Sequence, residues 1–277
     1  MAMRLLQAGF QLSVYNRSRE KANDLVARGA QAAASPREAV RDADVVVSMV
    51  ADDEALLSLA LGESGFVEAM RRDAMHLSMS TVSPAATRAL QVAHEAHGTS
   101  LVAAPVLGRP DRAATGELRI IAAGARVLEE RCKPLFAAMA SGYVWVSEKP
   151  EQANVFKILL NFALLGLVEV LAEALTLAER AEIDREQYRQ FVTAVFAAVP
   201  EGYGQKMISG VFEPAGFSSV LALKDARLAF GVAEDVRAPA PVASLVHDHL
   251  LSAIARGREN WDLAGLVEVL REQAGLR

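Results

Sequence analysis

Residues 44–50, Asp-Val-Val-Val-Ser-Met-Val, decide the fold class. An apolar run this short and this rich in valine is the expected look of a strand covered on both faces by helices. Residues 75–79, Met-His-Leu-Ser-Met, give a second such run, and residues 10–15 alternate like a half-buried strand. Further strands are expected at 101–106, 118–122 and 143–146. Between them lie helical stretches with clear punctuation. The helix over 19–28 stops at Gly29, whose freedom at positive φ ends helices. Ser35-Pro36 and Ser83-Pro84 each offer a capping hydroxyl followed by a proline at the first helical position, the second opening a helix over 84–97. Strands alternating with helices predict an α/β domain of Rossmann type, a doubly wound parallel sheet.

The pattern changes near Pro150. From 151 to about 181 there is no turn signal, only good helix formers, so one long helix is expected. It is apolar on nearly every side between Val155 and Leu171, which predicts neighbours all round it. Helices at 184–198, 202–209, 218–233, 241–256 and 263–274 follow, and no strand pattern appears after Val146. Two domains are therefore expected, 1–149 with the sheet and 150–277 all-helical.

Composition narrows the partners. With 29 Lys and Arg against 34 Asp and Glu, the net charge is -5, which argues against displacing counterions from nucleic-acid phosphates. No basic run suggests an anionic membrane surface, and no uninterrupted apolar stretch approaches a bilayer's thickness. The single Cys132, in a helical pattern, reads as a packing thiol in a reducing compartment. The opening residues carry too short an apolar run for a secretory signal, so a cytoplasmic location is expected.

The beginning is unusual for a dinucleotide fold, which needs a strand and a G-x-G-x-x-G turn opening a helix. Here a helix over 1–8, closed by Gly9, leads straight into the strand at 10–15. That strand reads as the second of a Rossmann unit, with the central place in the sheet vacant. Either the reading frame starts at an internal methionine, the explanation favoured, or the protein lacks the loop.

Three groups of residues could carry chemistry. Asn16-Arg17-Ser18 follows the first strand, where an arginine among small polar residues offers a fork to a ribose 2′-phosphate; as a bare tripeptide it is equally a turn capped by Ser18. Ser80-Thr81-Val82-Ser83-Pro84 sits at the carboxyl edge of the sheet, where ligands bind in open α/β folds, although Ser83 alone would serve as a helix cap. Asn154, Lys157 and Asn161, spaced by three and four, share one face of the long helix among apolar residues. A lysine there loses hydration, which lowers its pKa toward the range of a general acid. Lys224-Asp225 in isolation reads as a solvated charge pair. The triplet His247-Asp248-His249 does not gather on one helical face and has no third ligand, so a metal site is not expected.

In this order, the pieces resemble the 3-hydroxyisobutyrate and β-hydroxyacid dehydrogenases, including glyoxylate/succinic semialdehyde reductases. The residues that carry the resemblance are Met1-Ala2 leading into Leu5-Leu6-Gln7-Ala8-Gly9, Asn16-Arg17-Ser18, the Ser80 to Pro84 turn, Ala104-Pro105-Val106, Thr115-Gly116-Glu117-Leu118, Lys157 with Asn161, Lys224-Asp225, and Asp262. The resemblance implies Lys157 as catalytic acid and base with Asn161 as its partner, and Asn16, Arg17 and Ser18 as the NADPH-preferring version of the ribose site. It implies Met49 and Val50 lining the cofactor, and Thr81 and Lys224 near its nicotinamide end. Ser80, Gly108 and Arg109 are expected beside the substrate with Lys157 and Asn161. It also implies an interlocked homodimer and a small carbonyl or hydroxyacid substrate. Two departures stand out: the family's glycine-rich loop, and its Ser-Gly-Gly after Pro-Val, replaced here by Leu107-Gly108-Arg109. Arg109 is either a different contact for a substrate carboxylate or a loop charge facing water. Alternatives to a dehydrogenase are a non-catalytic dimeric relative and an imine reductase; the family resemblance ties Lys157 to carbonyl or alcohol chemistry.

Overall fold

The computed structural model describes residues 1–276. Two compact units divide at Phe162/Ala163. The first contains strands β1 (Ser13–Val14), β2 (Gln31–Ala32), β3 (Val45–Ser48), β4 (Met75–Ser78), β5 (Ser100–Ala103), β6 (Val106–Leu107), β7 (Leu118–Ala123) and β8 (Ala140–Ser147). Its helices are α1 (Ala2–Gln7), α2 (Asn23–Val26), α3 (Pro36–Val40), α4 (Asp53–Leu61), α5 (Pro84–His97), α6 (Pro110–Thr115) and α7 (Glu129–Met139), and it takes the first turns of α8 (Glu151–Arg180). The boundary expected at 149 follows the last strand; packing instead carries the unit to Phe162, because Ala153, Asn154 and Lys157 are buried on its side.

The strands form two sheets. β1 and β2 pair in parallel alone, while β3, β4 and β5 run parallel and β7 closes on β5 antiparallel. β6 lies antiparallel and β8 parallel to β7, so the sheet is parallel at its heart and mixed at one side. The strand expected at 10–15 shrinks to Ser13–Val14, and among the described residues β1 and β3 have no strand on their other edges. Side chains of β4 alternate between two cores. Met75 and Leu77, with Met79 just beyond, pack with Leu5 of α1 and with Cys132, Leu135, Phe136 and Met139 of α7. The opposite face meets Leu56 and Ala60 of α4 and Ala86 and Leu90 of α5. The caps form as their sequences require: Ser35 accepts from Glu38 N–H and Ser83 from Ala86 N–H, both at 3.1 Å.

The second unit is helical: the remainder of α8, α9 (Arg185–Ser209), α10 (Ser219–Asp235), α11 (Pro241–Ala255) and α12 (Leu266–Gln273). The two helices expected at 184–198 and 202–209 are one, since α9 continues through Pro200. Two carboxylates organise this unit. Glu173 of α8 accepts from the N–H groups of Val242 and Ala243 at 2.9 and 3.1 Å, satisfying the start of α11. Asp262, 1% exposed, accepts from Lys206 Nζ at 2.5 Å and from the N–H groups of Gly216, Phe217 and Ala264. Those donors hold its carboxyl below the usual carboxylate range despite burial.

The middle of α8 departs from expectation. Leu159, Phe162, Leu164 and Leu165 are exposed, the last at 68%, so neighbours within the chain do not surround the helix. Apolar sequence says that a surface wants cover; it does not say which molecule supplies it. An 18-residue window of α8 has mean hydropathy 2.1, and by length and composition the helix could cross a membrane. Uninterrupted runs had excluded that, yet the helix ends are committed elsewhere: Lys157 is buried in the first unit, and Ala178 and the Glu173 cap hold it in the second.

Candidate active site

The carboxyl ends of β3 and β4 meet the start of α8 in the first unit. After β4 the chain turns through Ser80 to Ser83 into α5, and side-chain hydrogen bonds fix this turn on three sides. Ser80, fully buried, accepts from Val50 N–H at 2.7 Å, so its hydroxyl joins the turn to the residue after β3. Ser83 N–H donates to Asp53 Oδ1 at 2.8 Å, joining it to α4. Val82 N–H donates to Asn154 Oδ1 at 3.2 Å, joining it to α8. Thr81, between these anchors, is half-buried and faces a cleft of about 530 Å³ shared with Asp52, Asp53, Glu54, Ser83 and Ile158.

Lys157 follows Asn154 by three residues and is 8% exposed. Among the described residues no carboxylate forms an ion pair with it. Desolvation alone lowers its pKa, because a buried ammonium without a counter-charge gives up water for nothing. Asn161, one turn on, is half-buried. The structure therefore brings Thr81, Ser80, Asn154 and Lys157 onto two adjoining elements.

The other expected residues are placed as follows. Met49, 56% exposed, and half-buried Val50 follow β3. Asn16 and Arg17 are exposed at the end of β1; Asn16 Oδ1 accepts from Ser18 N–H at 2.9 Å, so Asn16 shapes the turn and the Ser18 hydroxyl forms no cap. Gly108 adopts φ +130°, which disfavours any side chain, and a Cβ there would meet Leu118 Cδ2 at 2.8 Å. Arg109 precedes α6 with its side chain 86% exposed, 3.7 Å from Asp111. Lys224, in the second unit, forms an exposed pair with Asp225 at 2.7 Å. Ser80 is fully buried, with its oxygen accepting from the Val50 backbone.

One constellation has no counterpart in the sequence reading. Ser48 Oγ lies 2.7 Å from His76 Nε2, His76 Nδ1 lies 2.9 Å from His94 Nε2, and His94 Nδ1 lies 2.8 Å from Thr99 Oγ1. Thr99 O–H donates to the His94 carbonyl, so the protons can run one way: Ser48 to His76, His76 to His94, His94 to Thr99. That order satisfies every group only with both imidazoles neutral. Burial first, and the neighbouring imidazoles second, push His76 well down and His94 to about 4.

A dinucleotide needs contacts along its whole length. The exposed Arg17 beside Asn16 forms no ion pair among the described residues and suits a ribose phosphate, and the ledge of Met49, Val50 and Thr81 suits the other end. None of the 277 residues forms a G-x-G-x-x-G turn for the pyrophosphate.

Comparison with known proteins follows this geometry. The family described as the NAD binding domain of 6-phosphogluconate dehydrogenase matches residues 1–147, and that described as the NAD-binding domain of NADP-dependent 3-hydroxyisobutyrate dehydrogenase matches residues 152–270. The Bacillus subtilis protein named as the uncharacterized oxidoreductase YfjR is 40% identical over 98% of this chain and 95% of its own. The 3-sulfolactaldehyde reductase of Escherichia coli is 30% identical over 100% of this chain and 93% of its own. An imine reductase from a Pseudomonas species superposes with a TM-score of 0.86 at 17% identity, covering 97% of this chain and 94% of that one, which shows the shared fold.

Proposed function

The chain belongs to the β-hydroxyacid dehydrogenase family of NAD(P)-dependent oxidoreductases, and from that premise we propose that it is an NADPH-dependent reductase interconverting a small carbonyl compound and its hydroxy form. The observation that carries the proposal is Lys157: nearly buried, with no ion pair among the described residues, and beside the sheet edge where this family works. The nicotinamide supplies the hydride when bound. Lys157 donates a proton to the carbonyl oxygen in reduction and takes it back in oxidation, and its lowered pKa eases the donation. Asn161, on the same face, orients the oxygen or the amine by hydrogen bonding. Arg17, with Asn16 and Ser18, accounts for the NADPH preference by pairing with the 2′-phosphate. Met49, Val50 and Thr81 complete the cofactor contacts of the first unit, Lys224 is the contact proposed for the second, and Gly108 and Arg109 stand at the substrate. Arg109 supports an anionic substrate, in keeping with the E. coli relative, which acts on a sulfonated aldehyde by name.

We further propose a homodimer, because apolar residues of α8 and of α9, Leu165 and Phe191 among them, are exposed in the single chain and a second copy would cover them. The expected domain division, sheet unit then helical unit, belongs to the same reading, as does the cytoplasmic location. A second reading is a non-catalytic dimeric relative. Lys157→Ala separates the two: with a good aldehyde substrate, turnover should fall by about 10²–10⁴-fold while NADPH fluorescence still titrates. A loss smaller than about tenfold would end the assignment of Lys157, and an absence of NADPH binding in the unaltered chain would favour the second reading.

A further inference from the structure

We propose that Asn154 is a positioning residue that sets Lys157 against the Thr81 turn, through an amide that clamps α8 to the start of α5. The proposal rests on the reading of Lys157 as the proton donor. Asn154 is fully buried and its two amide atoms are both engaged. Oδ1 accepts from Val82 N–H at 3.2 Å, and Nδ2 donates to Thr87 Oγ1 at 3.0 Å. Thr87, 1% exposed, passes its own proton to the Ser83 carbonyl at 3.3 Å. The donor pattern admits one orientation of the amide: an N–H and an acceptor face it on opposite sides, and a flipped side chain would oppose donor to donor.

The consequence is geometric. Thr81 stands between Ser80, tied to the β3 end, and Val82, tied to α8. Its side chain and Ile158, the neighbour of Lys157, line the same cleft. The clamp therefore holds the two walls of that cleft at a fixed separation, next along the helix from Lys157, which is buried with no ion pair among the described residues. Packing alone would tolerate an apolar residue at 154; a donor and an acceptor together are needed to satisfy Val82 N–H and Thr87.

The test follows Lys157 directly in the full chain without cofactor. The pH dependence of its acetylation by acetic anhydride, read by mass spectrometry of the Lys157 peptide, gives its titration midpoint. In Asn154→Ala the midpoint should rise by about one pH unit as water reaches the amine. In Asn154→Asp it should rise further, since a carboxylate then stands three residues away on the same helix face. Thr87→Val, which keeps the Val82 bond, should shift it less. A midpoint unchanged from the natural chain in Asn154→Ala would overturn the proposal; if that variant fails to fold, unchanged midpoints in Asn154→Asp and Thr87→Val would do so. Turnover of succinic semialdehyde with NADPH by Lys157→Ala keeps the two readings apart. Full activity in that variant removes Lys157 from the chemistry and leaves the clamp, as judged by titration, standing.

Discussion

Acid should unfold the first unit through its buried imidazoles, and His94 sets the scale. In the unfolded chain His94 titrates at 6.5; in the fold it is pushed down to about 4. Its folded value lies below its unfolded one, so the neutral form is the one the fold accepts. Above pH 6.5 both states are neutral and the residue contributes no pH dependence. Between about 6.5 and 4 the unfolded chain takes up a proton that the fold refuses, and stability falls by about 1.4 kcal/mol per pH unit. Integrated to pH 5, His94 costs about 2 kcal/mol, levelling off near 3 kcal/mol below pH 4. His76 acts in the same direction. The groups facing this pair are Ser48, Thr99, the edge of the Phe66 ring and, on the same helix, His97; none is an anion that could rescue a charged imidazole. Urea unfolding at pH 7.5 and 5.0 measures the effect, with Trp145 reporting on the first unit in a Trp261→Phe background. His94→Gln, whose amide can still accept from His76 and donate to Thr99, should lose about 2 kcal/mol less than the natural chain between the two pH values. Equal losses in both proteins would refute the neutral, one-way chain of protons.

Two further outcomes test the proposed function. Arg17→Ala should weaken NADPH binding by roughly 1–3 kcal/mol, the worth of a charge-assisted contact, and leave NADH binding nearly unchanged in a fluorescence titration; equal losses for both cofactors would show that Arg17 does not meet the 2′-phosphate. Leu165→Glu, at an α8 position 68% exposed in the single chain, should convert a dimer to a monomer in sedimentation equilibrium, whereas a natural chain that sediments as a monomer would remove the second copy from the reading.

Much of the fold lay on the surface of the sequence because its signals are local. Ser35 and Ser83 cap helices three residues away, and the valines of β3 announce a strand between two layers. Lys157 is buried as expected, but not for the reason expected: its apolar neighbours Phe156, Leu159 and Phe162 are exposed. The failures are long-range. Asn154 meets Val82 across 72 residues, Ser48 meets His76 across 28, and no spacing rule reports such encounters. The bond from Val50 N–H to Ser80 spans 30 residues and left no mark in the sequence either. The helix around Leu165 was misread because composition records a need for cover without naming what provides it.

The outer edge of β3 has a consequence for anyone handling this chain. On the edge away from β4, Val45 and Val47 present their main-chain donors and acceptors without a partner strand among the described residues, and no lysine or proline guards the segment. A row of this kind is a template on which another extended chain can zip, copy upon copy. A strand that docks there satisfies the row and closes it to other chains.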